Sequence, residues 1–277
     1  MKFSALPVSF YADFATGARS LGEWFRFAAT LGLDGADISV AHLQTLSANY
    51  LDALRREAED AGVQIAMVVT YSDFTHPDAQ ERMHQREEVR GFIDVAARLG
   101  APFVRVTAGQ RHPGVAEAEG LDWAVAGLTS CLEHAAHAGV ILTYENHTKG
   151  SVWTYNDFTQ PAARFLEVVR RTTGTELRLL YDTANTLGSG DDPLAVLAQV
   201  QDRIAVIHVN DIERAGYFEP CLVGTGVAPN RAIFTRLAQA GFDGWISVEE
   251  ASKSGEAGFQ HAIPYVKELW SEACDAL

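Results

Sequence analysis

Residues 177–211 read LRLLYDTANTLGSGDDPLAVLAQVQDRIAVIHVND. An apolar run closes on Asp182, a helical stretch follows from Pro193 to Val200, and a second apolar run, Ile204-Ala-Val-Ile, closes on His208. Short apolar runs of this kind suit buried strands, and proline suits the first turn of a helix. Strand, helix, strand is the repeating unit of a parallel sheet. Each strand also ends on a carboxylate or an imidazole, which is costly to bury unless a cation or hydrogen-bond donors compensate it.

The same alternation extends in both directions. Strands are expected near 3–10, 35–39, 64–70, 103–107, 140–146, 177–182, 204–210 and 245–249. Helical patterns fall near 21–31, 50–61, 78–99, 121–138, 157–171, 193–200, 230–240 and 258–272. Gly100, Gly139 and Gly241 stand just past helices, Asp157 and Asn230 are candidate N-caps, and Pro193 opens a helix. Eight strand–helix alternations are the number that closes a (β/α)₈ TIM barrel, and no linker divides residues 1–277, so one domain is expected. The segments after Thr107, Asn146, Asp182 and Asp211 would then share one rim, where such barrels place their chemistry. An open doubly wound sheet is the alternative, but no glycine-rich phosphate motif follows the first strand.

Two further runs end as the first two do: Val140-Ile-Leu-Thr-Tyr on Glu145, and Trp245-Ile-Ser-Val on Glu249. Four such endings point to one shared site. Oxygen and nitrogen donors without a thiolate suit one divalent ion, whether Mg²⁺, Mn²⁺, Co²⁺ or Zn²⁺. Strand alternation sends Glu249 and its neighbour Glu250 to opposite faces, so only one of the two can join the site. Asp211 reads equally as a residue of the site or of a turn.

Composition narrows the function classes. The chain has 277 residues, 47% hydrophobic and 21% charged, as an ordinary globular protein does. No apolar run reaches the roughly 18 residues of a membrane span. The first ten residues carry one lysine and too short an apolar stretch for a secretory signal. Cys131, Cys221 and Cys274 are odd in number and widely spaced, which favours the cytoplasm over a disulfide framework. A net charge of −14 without a basic run weighs against nucleic acid as a partner.

Tyr144-Glu-Asn-His, Tyr181-Asp-Thr-Ala-Asn, Ile207-His-Val-Asn-Asp and Gly244-Trp-Ile-Ser-Val-Glu occur in that order at strand ends. Together they resemble the motifs of the xylose-isomerase-like superfamily of metal-dependent barrels. That group includes ketose 3-epimerases, hydroxypyruvate isomerases, inosose and dehydroshikimate dehydratases, and endonuclease IV. The resemblance implies that Glu145, Asp182, His208 and Glu249 hold the metal, and that Glu145 and Glu249 also move a proton from opposite faces of a sugar. It implies a sugar isomerase or epimerase acting on a polyhydroxylated small molecule through a metal-stabilised enediolate. A lyase of the same superfamily is the runner-up, and a DNA-repair phosphodiesterase the remote alternative. Homo-oligomers are common in the family, though no residue pattern here marks one.

Four more residues are expected near substrate. Arg214, six residues beyond His208, resembles an arginine that epimerase-like members place on substrate oxygens. Asn185 departs from the pattern, because many relatives have histidine three residues after the strand-6 aspartate. Asparagine can hydrogen-bond a hydroxyl but brings no charge. Arg105 interrupts Pro102-Phe-Val-Arg-Val-Thr. With Val104 and Val106 facing helices, it points into the barrel, toward Asp37 or a substrate oxygen. His147 and Asn146 are rim residues expected to support Glu145. Tyr71, Phe74, Trp153, Tyr217 and Phe218 fall in rim loops, where one or two can touch a sugar. Cys221 reads as an inert loop thiol.

Overall fold

Eight strands form one parallel sheet in the computed structural model, which describes residues 1–149 and 152–276. They are β1 (Lys2–Leu6), β2 (Gly35–Ser39), β3 (Gln64–Val69), β4 (Phe103–Val106), β5 (Ile141–Glu145), β6 (Arg178–Asp182), β7 (Ile204–Val209) and β10 (Trp245–Glu249). Between the last two lies a hairpin that the sequence pattern did not signal, β8 (Ile212–Arg214) with β9 (Tyr217–Pro220). The spatial order is β1-β10-β7-β6-β5-β4-β3-β2, so the sheet curls into a nearly closed TIM barrel. At the β1/β2 seam the tie comes from Asp34: its backbone N–H donates to Phe3 O at 2.9 Å, and its Oδ2 accepts from Phe3 N at 2.8 Å.

Helices α2 (Leu21–Thr30), α3 (Ala48–Ala61), α4 (Ala79–Leu99), α5 (Glu117–Ser130), α6 (Leu132–Ala138), α7 (Ala162–Arg171), α9 (Pro193–Val200), α10 (Asn230–Gln239) and α11 (Gly255–Asp275) surround it. Two short ones, α1 (Tyr11–Thr16) and α8 (Asn185–Gly188), lie in rim loops. Gly100 and Gly139 end α4 and α6 at φ of 74° and 71°, a left-handed backbone that only glycine adopts freely.

Several boundaries differ from expectation for local reasons. The first strand stops at Leu6, because Pro7 cannot donate to a ladder and residues Val8–Phe10 turn as a 3-10 helix. The expected helix over 121–138 is two helices meeting at Cys131. Just before the junction, Thr129 and Ser130 donate their hydroxyls to the carbonyls of Val125 and Gly127, in competition with the helix ladder. Asp157 is no N-cap: its Oδ1 accepts from Thr159 N and Oγ1, both at 2.7 Å, and the helix begins only after Pro161. Asn230 is likewise not a cap. Pro229 takes that position, while Asn230 is buried and donates to Asn210 O at 3.1 Å.

Alternation divides the apolar residues into two layers. Ile207, Val209, Ile246, Val248, Leu179 and Tyr181 pack outward against helices with Trp24, Phe25 and Phe259. Val206, Leu180, Phe103, Met67, Trp245 and Leu6 form a separate cluster inside the barrel. Each such large side chain contributes about 1.5–3 kcal/mol by burial. Along β4, β6, β7 and β10 the inward face turns polar toward the C-terminal end, at Arg105, Asp182, His208, Ser247 and Glu249. Chemistry-bearing groups therefore collect above an apolar plug, at the C-terminal rim.

Candidate metal centre

Asp182 shows how the chain prepares a donor. It ends β6, and the backbone turns at once, so its Oδ1 accepts from Ala184 N at 2.8 Å and Asn185 N at 2.6 Å. Those bonds fix the carboxylate and leave Oδ2 buried without a hydrogen bond. Asn146 secures the same strand end. Its Oδ1 accepts from Asp182 N at 2.8 Å, and its Nδ2 donates to Asp182 O at 2.9 Å and to Thr186 Oγ1 at 3.0 Å. A side-chain amide thus extends the β5–β6 ladder beyond Glu145. Asn146 was expected to support Glu145; it supports Asp182 instead.

One ligand atom from each of Glu145, Asp182, His208 and Glu249 lies within 4.8 Å of all the others. The four enter from the C-terminal ends of β5, β6, β7 and β10, which are neighbours in the sheet. Glu145, Asp182 and His208 are buried, while the Glu249 side chain keeps 19% of its surface exposed. Nδ1 of His208 is 2.8 Å from Glu249 Oε2 and 3.4 Å from Glu145 Oε1. Both Glu145 oxygens, Asp182 Oδ2 and both His208 nitrogens are buried without a hydrogen bond. Glu250, the alternative to Glu249, points to the other face and accepts from the hydroxyls of Ser9 and Ser252.

Burial and crowding set the electrostatics. Burial pushes the Asp182 carboxyl well above its ordinary range, and the charges of Glu249 and Glu145 push it further. Burial would also raise Glu145, but Arg105, His208 and His147 together outweigh it, giving about 2. For His208, burial opposes the charged form, yet the two glutamates raise it to about 10. Three carboxylates are held together here by a protonated imidazole and one guanidinium. Convergent, unpaired oxygen and nitrogen donors with surplus negative charge fit a divalent cation, and the donor set lacks the sulfur that a structural zinc site commonly uses.

Arg105 points inward as expected, but its partner is Glu145, with Nε 3.2 Å from Oε2, rather than Asp37. Its guanidinium also lies 5.2 Å from the centre of the Tyr71 ring. Asn185 borders the centre through its backbone N–H, and its Oδ1 accepts from Thr148 Oγ1 at 3.2 Å. His147 turns toward Asp157, with Nδ1 3.4 Å from Oδ2, and meets Trp153 edge-on at 5.4 Å. Arg214 is exposed on the hairpin, 4.6 Å from the Tyr217 ring, and is not brought to the four donors.

Asp211 is a turn residue, accepting from the N–H groups of Ile212, Gly224, Gly226 and Ala228. Among the aromatics, Phe74 is core, packed on Gly127. Trp153, Tyr217 and Phe218, with Thr148 and Asn156, line a rim cavity of about 540 Å³. Sequence reading missed Tyr11, a half-buried tyrosine whose phenol lies near Tyr71, Glu249 and Arg105, because nothing in the loop after β1 marks it.

Known proteins agree with this architecture. A Streptomyces coelicolor protein, provisionally named a hydroxypyruvate isomerase, is 32% identical over 211 residues, covering 72% of this chain and 73% of its own. An inosose dehydratase of Lacticaseibacillus casei is 26% identical over 160 residues, 52% of this chain, which spans about half that relative's length (51%). The IolI protein, solved with a zinc atom, superposes with a TM-score of 0.79 at 18% identity over 100% of this chain and 99% of its own. The model of the xylose isomerase-like TIM barrel matches residues 25–269, and the chain belongs to that family.

Proposed function

We propose that this chain is a divalent-metal-dependent isomerase or epimerase that moves a proton next to the carbonyl of a polyhydroxylated small molecule. The observation that carries the reading is the placing of two glutamates, from β5 and β10, on either side of Asp182 and His208 in one pocket. A bound divalent ion supplies Lewis acidity, which acidifies a C–H between a carbonyl and a hydroxyl by stabilising the enediolate. Asp182 and His208 hold the ion together with the two glutamates. Glu249, the accessible one, faces substrate and takes or returns the proton; Glu145, kept ionised beside Arg105, serves the opposite face. Return to the same carbon with inversion is epimerisation, and return to the neighbouring carbon is aldose–ketose isomerisation. Arg105, Asn185, His147 and Arg214 are proposed to orient substrate oxygens, with Arg214 requiring the hairpin to fold inward. Hydroxypyruvate, ketoses and inososes are the compounds to try first, given the names of the relatives.

The test is proton exchange. Metal-loaded protein in D₂O should place deuterium beside the carbonyl of its substrate, followed by NMR. Glu145→Gln and Glu249→Gln should each slow exchange by about 10²–10⁴-fold. Exchange that survives both substitutions would remove the two-glutamate mechanism. The inosose dehydratase likeness favours a second reading, in which the same enediolate expels a β-hydroxyl. That reaction would reveal itself as an unsaturated carbonyl absorbing in the ultraviolet.

A further inference from the structure

One buried carboxylate inside the barrel stands outside the four-donor cluster. Asp37, in β2, is wholly buried. Its Oδ2 accepts from Ser247 Oγ at 2.5 Å and from Ser4 Oγ at 3.3 Å, while its Oδ1 is buried with no partner. Ser4 pairs in register with Ser247, and Ser247 with His208, along β1, β10 and β7. Ser247, which anchors the carboxylate, is one strand spacing, roughly 4.8 Å, from His208. Serine is small, so Ser4 and Ser247 themselves fill little of the barrel interior at this level.

His208 Nε2 is likewise buried without a hydrogen bond, while Nδ1 faces Glu145 and Glu249. Burial raises the Asp37 carboxyl to about 6, and the strongest opposing influence is the charge of His208. Asp37 Oδ1 and His208 Nε2 are each a buried polar atom that calls for a partner. A neutral imidazole has one N–H, and the partner of one nitrogen decides whether the other is free to ligate.

We propose that Asp37 is the positioning residue of His208: through one buried water, its free Oδ1 holds a proton on Nε2, so that Nδ1 is the nitrogen that gives up its proton to make way for a cation among the three carboxylates. The inference rests on the metal-centre reading above. The water accepts from Nε2–H and donates to Oδ1, with the serine hydroxyls in reach as further partners. Asp37 also adds negative charge beneath a site that must attract a cation.

The test is Zn²⁺ affinity, read by calorimetry with chelator competition, beside the melting temperature of the metal-free protein. In Asp37→Asn the serines hold the amide oxygen and an NH₂ replaces Oδ1. The water can then donate to Nε2, and the tautomer with Nδ1 blocked is no longer disfavoured. Zn²⁺ binding should weaken about 10- to 100-fold. Metal-free melting should hold or rise, because a buried charge has been removed. Co²⁺-loaded protein should show altered visible bands. Ser247→Ala, which loosens the anchor, should weaken Zn²⁺ binding in the same direction by less.

Unchanged affinity in Asp37→Asn, with wild type binding Zn²⁺, would overturn the role of Asp37 and leave the metal centre standing. Affinity lost only in step with metal-free stability would reduce Asp37 to a structural group. A wild type that binds no Zn²⁺ would remove both.

Discussion

At the scale of single residues, Arg105 decides what Glu145 can be. A carboxyl this buried should resist ionisation, yet the guanidinium 3.2 Å away, with His208 and His147, holds it at about 2. A depressed carboxyl contributes stability that is present above its unfolded value, about 4.3, and is lost as pH falls toward 2. Arg105→Met removes the compensating charge while keeping much of the side-chain volume. The acid limb of the exchange profile and the acid-unfolding midpoint should both move to higher pH. Exchange measured from pH 4 to 8, beside circular dichroism, checks both; an unmoved acid limb would show that Arg105 does not govern Glu145. Inward orientation of Arg105 was legible from Val104 and Val106. Its partner was not, because alternation places side chains on a face and says nothing of which strand supplies the opposite charge.

At the scale of elements, close packing outranks helix propensity. Gly127 lies within α5, where alanine would ordinarily gain about 1 kcal/mol. A Cβ there would stand 2.3 Å from the Phe74 ring, which is 1% exposed and has little room to yield. Gly127→Ala should therefore destabilise the protein by about 1–3 kcal/mol, as overpacking does, and urea unfolding will give the sign. A stabilised variant would mean that the α5 contact relaxes freely. The later strands were legible because β4 to β7 and β10 are apolar runs that end at or just before a polar residue. Helix starts were harder: Asp157 and Asn230 have N-cap chemistry, but Asp157 closes a local turn onto Thr159 and Asn230 bonds Asn210 across the fold. The β8–β9 hairpin escaped because Ile212–Arg214 and Tyr217–Pro220 carry no sustained alternation.

At the scale of the whole molecule, the barrel brings three carboxylates and an imidazole into one pocket of a chain that already carries a net charge of −14. Their mutual repulsion opposes folding until a cation relieves it. Zn²⁺ or Mn²⁺ at about a thousandfold above its dissociation constant should add about 4 kcal/mol of stability. The gain should appear as a higher melting temperature that chelator reverses, and should vanish in Asp182→Asn combined with His208→Ala. Equal melting with and without ion would count against the centre. No described helix is long and apolar enough to cross a membrane.

The sequence by itself determined the class of fold and the identity of the four converging side chains. Apolar periodicity records which segments are buried, and a polar residue at the end of such a segment records where burial stops. Tertiary structure alone decided the partners: Arg105 with Glu145, Asn146 with Asp182, Asp37 with Ser4 and Ser247. Those pairings depend on strand order and register around a curved sheet. Contacts between residues as far apart as Asp37 and Ser247 leave no trace in the local pattern of either strand.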